Sequence, residues 1–207
     1  MSNLTTNTQA ILTSVQSYPN VQVICASKYV NALEMKSIYH AGIRHFGENH
    51  AQVLLDKKSL LSDLAIVWHF IGHLQTNKVK KLINEIDYLH SLDSIKLAKE
   101  IQKYRSTPLS CFIEMNLAND PNKTGLKREE LDDFLKEITN YDKIKIVGFM
   151  GMGVDQDTEA TTLVFNALKT LKTQYKMPYL SMGMTNDYEL ALTIGTDFVR
   201  IGRKFIL

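Results

Sequence analysis

Eight short apolar runs, spread along the whole chain and separated by stretches of helical period, leave this sequence few architectures. The runs are VQVICAS, RHFGEN, AIVWHFIG, YLHSLD, LSCFIEMNL, IKIVGFMGM, PYLSMGM and FVRIG. Between them lie segments such as NALEMKSIYHAG, LQTNKVKKLINE, SIKLAKEIQKY, REELDDFLKEITN and EATTLVFNALKTLKTQY, whose apolar residues recur at three and four positions, as on an amphipathic helix. Regular βα alternation implies a parallel sheet. Eight strands of near-continuous apolar character favour a closed (β/α)8 barrel over the competing open, doubly wound sheet. At 207 residues the chain is shorter than the ~250 typical of such barrels, so loops must be lean. One domain over residues 1–207 is expected. Leu4 to Val15 precedes the first strand and forms an extra helix, either closing the bottom of the barrel or packing on its side.

Local signals agree with this layout. Asp93 or Ser94 can cap the helix after YLHSLD, Asn186 or Asp187 the one after SMGMT, and Gly42 can end the helix that begins near Asn31. The formal net charge of +2, from 24 basic and 22 acidic residues, carries no polyelectrolyte signature and argues for a small-molecule partner over nucleic acid or membrane. Cys25 and Cys111 lie far apart inside strand-like runs and read as buried, reduced thiols. MSNLTTNTQAILTSVQ has neither a basic nor an apolar leader region, and no apolar run reaches the eighteen or so residues of a membrane span. A soluble cytoplasmic protein is expected.

The chemistry concentrates at strand ends. Lys28, just past VQVICAS, can form an imine with an aldehyde once its amine is deprotonated, and desolvation at a barrel mouth is the expected cause. Barrels of this type bear their sites at the C-terminal ends of the strands, often with phosphate held after strands seven and eight. SMGMT (Ser181 to Thr185) leaves strand seven into a helix, where hydroxyls and backbone N–H groups converge. VRIG leaves strand eight, with Arg200 as a fixed cationic donor and Gly202 permitting close approach of a ligand. Asn49 of FGEN ends strand two beside Lys28 and can pack against a ring or cap a helix. Lysine, phosphate cradle and arginine together look like a pyridoxal phosphate (PLP) site.

Other candidates read as structural. His69 and His73 are four apart, but Gly72 interrupts the helix that a metal-binding pair needs. Lys78, Lys80 and Lys81 read as a solvated helix face, Asp155 and Asp157 as a loop and a helix cap, and Asn119 to Gly125 as a loop whose Lys123 can face the mouth.

ICASK, HFGEN, WHFIGHLQTNK, the NKTG loop, LSMGMTND and FVRIG, in this order from about Val21 to Gly202, resemble the pyridoxal phosphate homeostasis protein family. The resemblance implies a barrel similar to the N-terminal domain of alanine racemase, with PLP held as an internal aldimine on Lys28. It further implies that Ser181, Met184, Thr185 and Gly202 surround the phosphate, that Arg200 faces the pyridine nitrogen and that Asn49 lies beside the ring. An arginine there leaves that nitrogen unprotonated and the cofactor a poorer electron sink. The chain departs from the family pattern at Arg203, where threonine or serine is usual, in GFMGMG after strand six, and in ending without a phenylalanine-glycine-x-arginine tail. Arg203 keeps its backbone N–H and adds charge, so binding with altered geometry or affinity is expected.

The expected function is that of a non-catalytic carrier that holds PLP through Lys28 and releases it to apo-enzymes, with a monomer as the expected state. Racemases of this fold draw their second acid-base residue from an added domain, and no opposite-face base is evident here. A PLP-dependent racemase and a cofactor-free Schiff-base aldolase on Lys28 are the alternatives, with an RNA-associated module on the Lys78, Lys80 and Lys81 face a distant third.

Overall fold

The computed structural model describes residues 2–118 and 120–207. Asn119, the first residue of the loop after strand five, lies outside the described residues. In chain order the elements are α1 (Ser2–Val15), β1 (Gln22–Ala26), α2 (Ala32–His40), β2 (His45–Glu48), α3 (Ala51–Leu60), β3 (Val67–Phe70), α4 (Thr76–Leu82) and β4 (Tyr88–Leu92). They continue with α5 (Ile95–Tyr104), β5 (Leu109–Glu114), α6 (Leu131–Ile138), β6 (Ile144–Met150), α7 (Thr158–Gln174), β7 (Tyr179–Met184), α8 (Tyr188–Ile194) and β8 (Phe198–Ile201). The strands are all parallel and close in sequence order, β8 pairing back onto β1 through Gln22–Phe198 and Ile24–Arg200. This is the expected (β/α)8 barrel.

Period-two alternation divides each strand between two cores. Outward residues such as Val23, Cys25, Phe46, Trp68, Leu89, Cys111 and Val199 pack under the helices in one continuous cluster. Inward residues Ile24, Phe112, Val147, Met150 and Phe198 form a second cluster inside the barrel. At roughly 1.5–3 kcal/mol for each fully buried large apolar side chain, these rings make the interior a packed core. Within that interior sit polar residues, His69, His90, Ser181 and Arg200, which need hydrogen-bond partners at these depths.

The helix ends follow the sequence signals with small adjustments. Ser94 caps α5 by accepting from Leu97 N, Asp157 caps α7 by accepting from Ala160 N, and Asn31 with Glu34 forms a reciprocal capping box on α2. Asp187 precedes α8 but turns its carboxylate onto Met184 N. α1 packs on the side of the barrel: Asn7 Nδ2 donates to Phe205 O and Leu207 O, and Gln9 Nε2 to Ala41 O. The α3 segment AQVLLDKKSL is less evident in sequence, since Leu54 is its single fully buried residue.

Candidate functional site

A cavity of about 310 Å³ opens at the C-terminal ends of the strands. Its lining includes Lys28, Asn49, Met184, Thr185, Arg200, Gly202 and Arg203, so seven of the eight residues singled out from sequence face one space. Ser181 does not line it. The Ser181 side chain points into the barrel beneath the mouth, where Arg200 Nη1 donates to its Oγ at 2.6 Å and His90 Nδ1 lies at 2.9 Å. Alternation along β7 explains the difference: a residue three positions before the strand's end faces the interior, below the loops that form the rim.

Lys28 sits on a 3₁₀ turn, Ser27–Tyr29, that continues directly from β1. Its side chain is exposed, with Nζ 5.0 Å from the centre of the Tyr29 ring, so burial does not supply the desolvation expected at this amine. What the fold supplies is a fixed position. Ser27 Oγ lies 3.1 Å from Gly47 O and 3.0 Å from Glu48 Oε2, Lys57 Nζ donates to Ser27 O at 2.7 Å and to Glu48 Oε2 at 2.8 Å, and Asn49 N donates to Glu48 Oε1 at 2.8 Å. One buried ion pair thus ties the end of β1, the end of β2 and α3 together directly beneath Lys28. Gly72 completes this side of the mouth: a Cβ there would lie 2.4 Å from Asn49 O, so only glycine lets the two strand ends approach this closely.

On the other side of the mouth the donors expected to meet a phosphate have partners within the chain. Met184 N donates to Asp187 Oδ1 at 2.5 Å, and Gly202 N to Thr185 Oγ1 at 3.2 Å. The space on the Cβ side of Gly202 is taken by Tyr29, whose ring atoms would lie 2.7 Å from an added Cβ, while Gly202 itself lines the cavity. Arg200, buried, donates from Nη2 to Gly151 O at 3.1 Å. Burial lowers its guanidinium to about 10, with Asp187 and Glu114 opposing the shift, so it remains a cation at neutral pH.

Glu114 ends β5, opposite β1 in the closed strand order, so it faces Lys28 across the mouth. It is 3% exposed, accepts from Thr124 Oγ1 at 3.0 Å, and its Oε2 has no partner. Burial pushes its carboxyl above the usual range; the Thr124 hydrogen bond opposes the shift, Asp93 adds to it, and Arg200 and His73 oppose it. Asn49 Oδ1 is likewise buried without a partner at the other edge of the cavity. Two orphaned acceptors and three cationic side chains around one space fit a ligand that brings both donors and negative charge.

From sequence alone Glu48, Lys57, Glu114, His45 and His90 passed unnoticed, and His69 was weighed only as half of a metal-binding pair and read as structural. Their signal was present: charged or polar residues inside apolar strand runs are rarely buried without a role. Lys123 donates to Gly153 O at 3.0 Å and lines a neighbouring pocket of about 350 Å³ that shares Met184 with the mouth. His73 lies 3.4 Å from Asp93, and Lys78, Lys80 and Lys81 are exposed on α4. Among the described residues there is no group of three or more His, Cys, Asp or Glu that could hold a metal ion, and no helix is long and apolar enough to cross a membrane. Cys25 and Cys111 are buried and unpaired, with burial pushing both thiols up.

The interior histidines have a consequence for stability. Burial lowers His45, and lowers His69 and His90 well below the usual imidazole range. The unfolded chain therefore binds more protons than the folded one below about pH 6.5, and stability is full above that value and falls as pH drops. Each histidine held neutral contributes up to about 1.4 kcal/mol per pH unit, the half-exposed His45 less. Glu114, raised by burial, acts in the opposite sense above its unfolded value and offsets one histidine at most. Denaturant melts from pH 8 to pH 5 are expected to show a plateau and then a steady loss below pH 6.5; a midpoint constant down to pH 5 contradicts this.

Comparison with known proteins gives a consistent picture. The model of the alanine racemase N-terminal domain family matches residues 1–204. A pyridoxal phosphate homeostasis protein from Aquifex aeolicus is 35% identical over 191 residues, 87% of this chain and 84% of its own length. One from Helicobacter pylori is 34% identical over 206 residues, 96% of this chain and 93% of its own. PipY of Synechococcus elongatus, solved with PLP bound, superposes with a TM-score of 0.88 at 30% identity, covering 99% of this chain and 100% of that one.

Proposed function

The chain belongs to the alanine racemase N-terminal domain family and, within it, to the pyridoxal phosphate homeostasis proteins, and from that premise we propose that it holds PLP at the barrel mouth through Lys28 and takes part in PLP homeostasis without turnover of its own. The observation that carries this reading is the single cavity that gathers Lys28, Asn49, Arg200 and Arg203 with two orphaned acceptors. When bound, the cofactor supplies an aldehyde that condenses reversibly with a primary amine. Lys28, exposed on its anchored turn, offers that amine, and its access to solvent suits exchange with an incoming amine. Arg200 presents a fixed cation toward the ring. Thr185 and Arg203 are the groups proposed for the phosphate, joined by the N–H groups of Met184 and Gly202 once they leave Asp187 and Thr185. Ser181 acts in this proposal from below, by holding Arg200.

The same proposal takes the protein to be a cytoplasmic monomer that passes PLP to apo-enzymes. Amino-acid racemisation is the second reading, and one observation favours it: Glu114 is a buried carboxyl across the mouth from Lys28, a candidate for the opposite-face base. Both are tested by adding PLP to the purified protein, reducing with borohydride and mapping the product. The expected result is a single pyridoxyl adduct on Lys28, with no isotope exchange at the α-carbon of amino acids beyond that of free PLP. An adduct elsewhere defeats the choice of lysine, and exchange well above free PLP defeats the carrier reading.

A further inference from the structure

A row of imidazoles crosses the barrel interior from floor to mouth. His45 opens β2, and His69 and His90 are the third residues of β3 and β4. His45 Nδ1 lies 2.9 Å from His69 Nε2, His69 Nδ1 lies 2.9 Å from His90 Nε2, and His90 Nδ1 lies 2.9 Å from Ser181 Oγ. At its upper end the row meets Arg200, whose Nη1 donates to the same Oγ at 2.6 Å and which lines the mouth cavity. At its lower end His45 is half-buried, while His69, His90 and Ser181 are fully buried.

A neutral imidazole has one N–H and one acceptor nitrogen, so each contact between rings holds a single proton and the direction of one bond fixes the next. Arg200 can only donate, which makes Ser181 Oγ an acceptor toward it. The hydroxyl proton of Ser181 then goes to its other partner, His90 Nδ1. His90 is left with its proton on Nε2, donating to His69 Nδ1, and His69 donates in turn from Nε2 to His45 Nδ1. All three rings become Nε2–H tautomers. The reverse polarity would leave the buried serine proton without an acceptor, so it is disfavoured while all three rings are neutral. Once His45 is charged, keeping the old polarity would set two N–H donors against each other at 2.9 Å.

We infer that His45, His69 and His90 are positioning residues of the mouth, a relay of fixed polarity that holds Ser181 and through it Arg200, and that a proton taken up by His45 at the barrel floor reverses the relay. With both its nitrogens protonated, His45 donates to His69 Nε2; His69 and His90 then carry their protons on Nδ1, and Ser181 accepts from His90 as well as from Arg200. Each shared proton moves one place toward the floor, from His69 Nε2 to His45 Nδ1, from His90 Nε2 to His69 Nδ1 and from Ser181 Oγ to His90 Nδ1. The one hydrogen gained from water restores the Ser181 hydroxyl, so the relay gains one hydrogen and loses none. Ser181 is left with an unpartnered proton, and its hold on Arg200 weakens.

The surroundings place the added charge at the floor. Burial disfavours charge on all three rings, but at half-buried His45 Asp87, just before β4, opposes that effect, whereas His69 is stacked on Tyr88 and His90 on Phe112. Arg200 faces His90 from β8 and disfavours charge there, while Asp187 and Glu114 face Arg200 itself. Tyr179 and Asp87 face Tyr88, and Phe198 packs beside all three imidazoles.

Two-bond proton–nitrogen spectra of the ligand-free protein, with labelled histidine, test the relay between pH 8 and pH 5. At pH 8 all three rings are expected as Nε2–H tautomers; on acidification His69 and His90 move to Nδ1–H with the same midpoint at which His45 becomes charged. An Nδ1–H ring among the three at pH 8, or titration of His45 with its neighbours unchanged, overturns the inference. His45→Gln keeps an acceptor for His69 and cannot titrate, so its His69 and His90 should stay Nε2–H through the wild-type midpoint; a switch that persists in this variant also overturns it. The consequence for the ligand rests on the proposed PLP site. PLP retention should fall about fivefold or more below the midpoint in wild type relative to His45→Gln, and an equal fall in both removes the coupling to the mouth. Absence of PLP binding at pH 8 would count against the cofactor reading alone, since the tautomers are read without it.

Discussion

Lys28→Ala is expected to abolish covalent retention of PLP while leaving the barrel intact. Lys28 is exposed, and its one aromatic contact is a cation–π approach to Tyr29, worth about 0.5–1 kcal/mol at an exposed site. The backbone of its turn is held by Ser27, Glu48 and Lys57, none of which needs the Lys28 side chain. Melting of the variant should stay within a few degrees of wild type. PLP would then meet only the non-covalent groups of the mouth, and borohydride should fix no adduct. A reduced adduct of undiminished yield on another residue, such as Lys123 in an adjoining pocket, would show that Lys28 is not the anchor. Loss of the adduct together with collapse of the melt would mean that Lys28 supports the fold, contrary to its exposure.

The barrel was legible because period and alternation act over whole segments. Eight apolar runs and the helices between them required parallel strands, and each run became a strand. α3 was harder to see, since it buries one residue fully and leaves no strong stripe. The rim of the site was legible for a different reason: Lys28, Thr185, Arg200 and Gly202 stand at strand ends, where a barrel displays its chemistry. What lay beneath the rim was not. Ser181 stands in the same glycine-rich run as Thr185, yet it faces inward, because the face is set by strand register and not by the motif. The same ambiguity hid His45 and His90 and left His69 a structural residue with no named partner, until the closed strand order brings the three into one row. Glu48 stood inside FGEN, where Asn49 drew attention; its partner Lys57 lies nine residues on, in the least evident helix.

That ion pair leads to the second large effect. Lys57→Met is expected to destabilise the protein by about 3 kcal/mol or more, because removing one partner leaves a buried charge uncompensated. Glu48 is fully buried and Lys57 only 12% exposed, at a contact of 2.8 Å. Glu48 keeps two hydrogen bonds, from Asn49 N and Ser27 Oγ, which places the loss toward the low end of the usual 3–5 kcal/mol. Methionine fills the space of the lysine stem, so a cavity contributes little. Glu48→Gln in the Lys57→Met background should recover much of the loss: the amide oxygen can still accept from Asn49 N, and no charge remains. Recovery in the double variant is the decisive sign, since a packing defect at position 57 would persist there. Retention of PLP should follow the same order, wild type first, the double variant next and Lys57→Met last, because Ser27 O loses its lysine donor in both variants and the anchor under Lys28 loosens further when the lone carboxylate draws in water. Urea melts of the three proteins decide the matter: a single variant within about 0.5 kcal/mol of wild type, or a double variant less stable than the single, would show that the pair does not hold the turn.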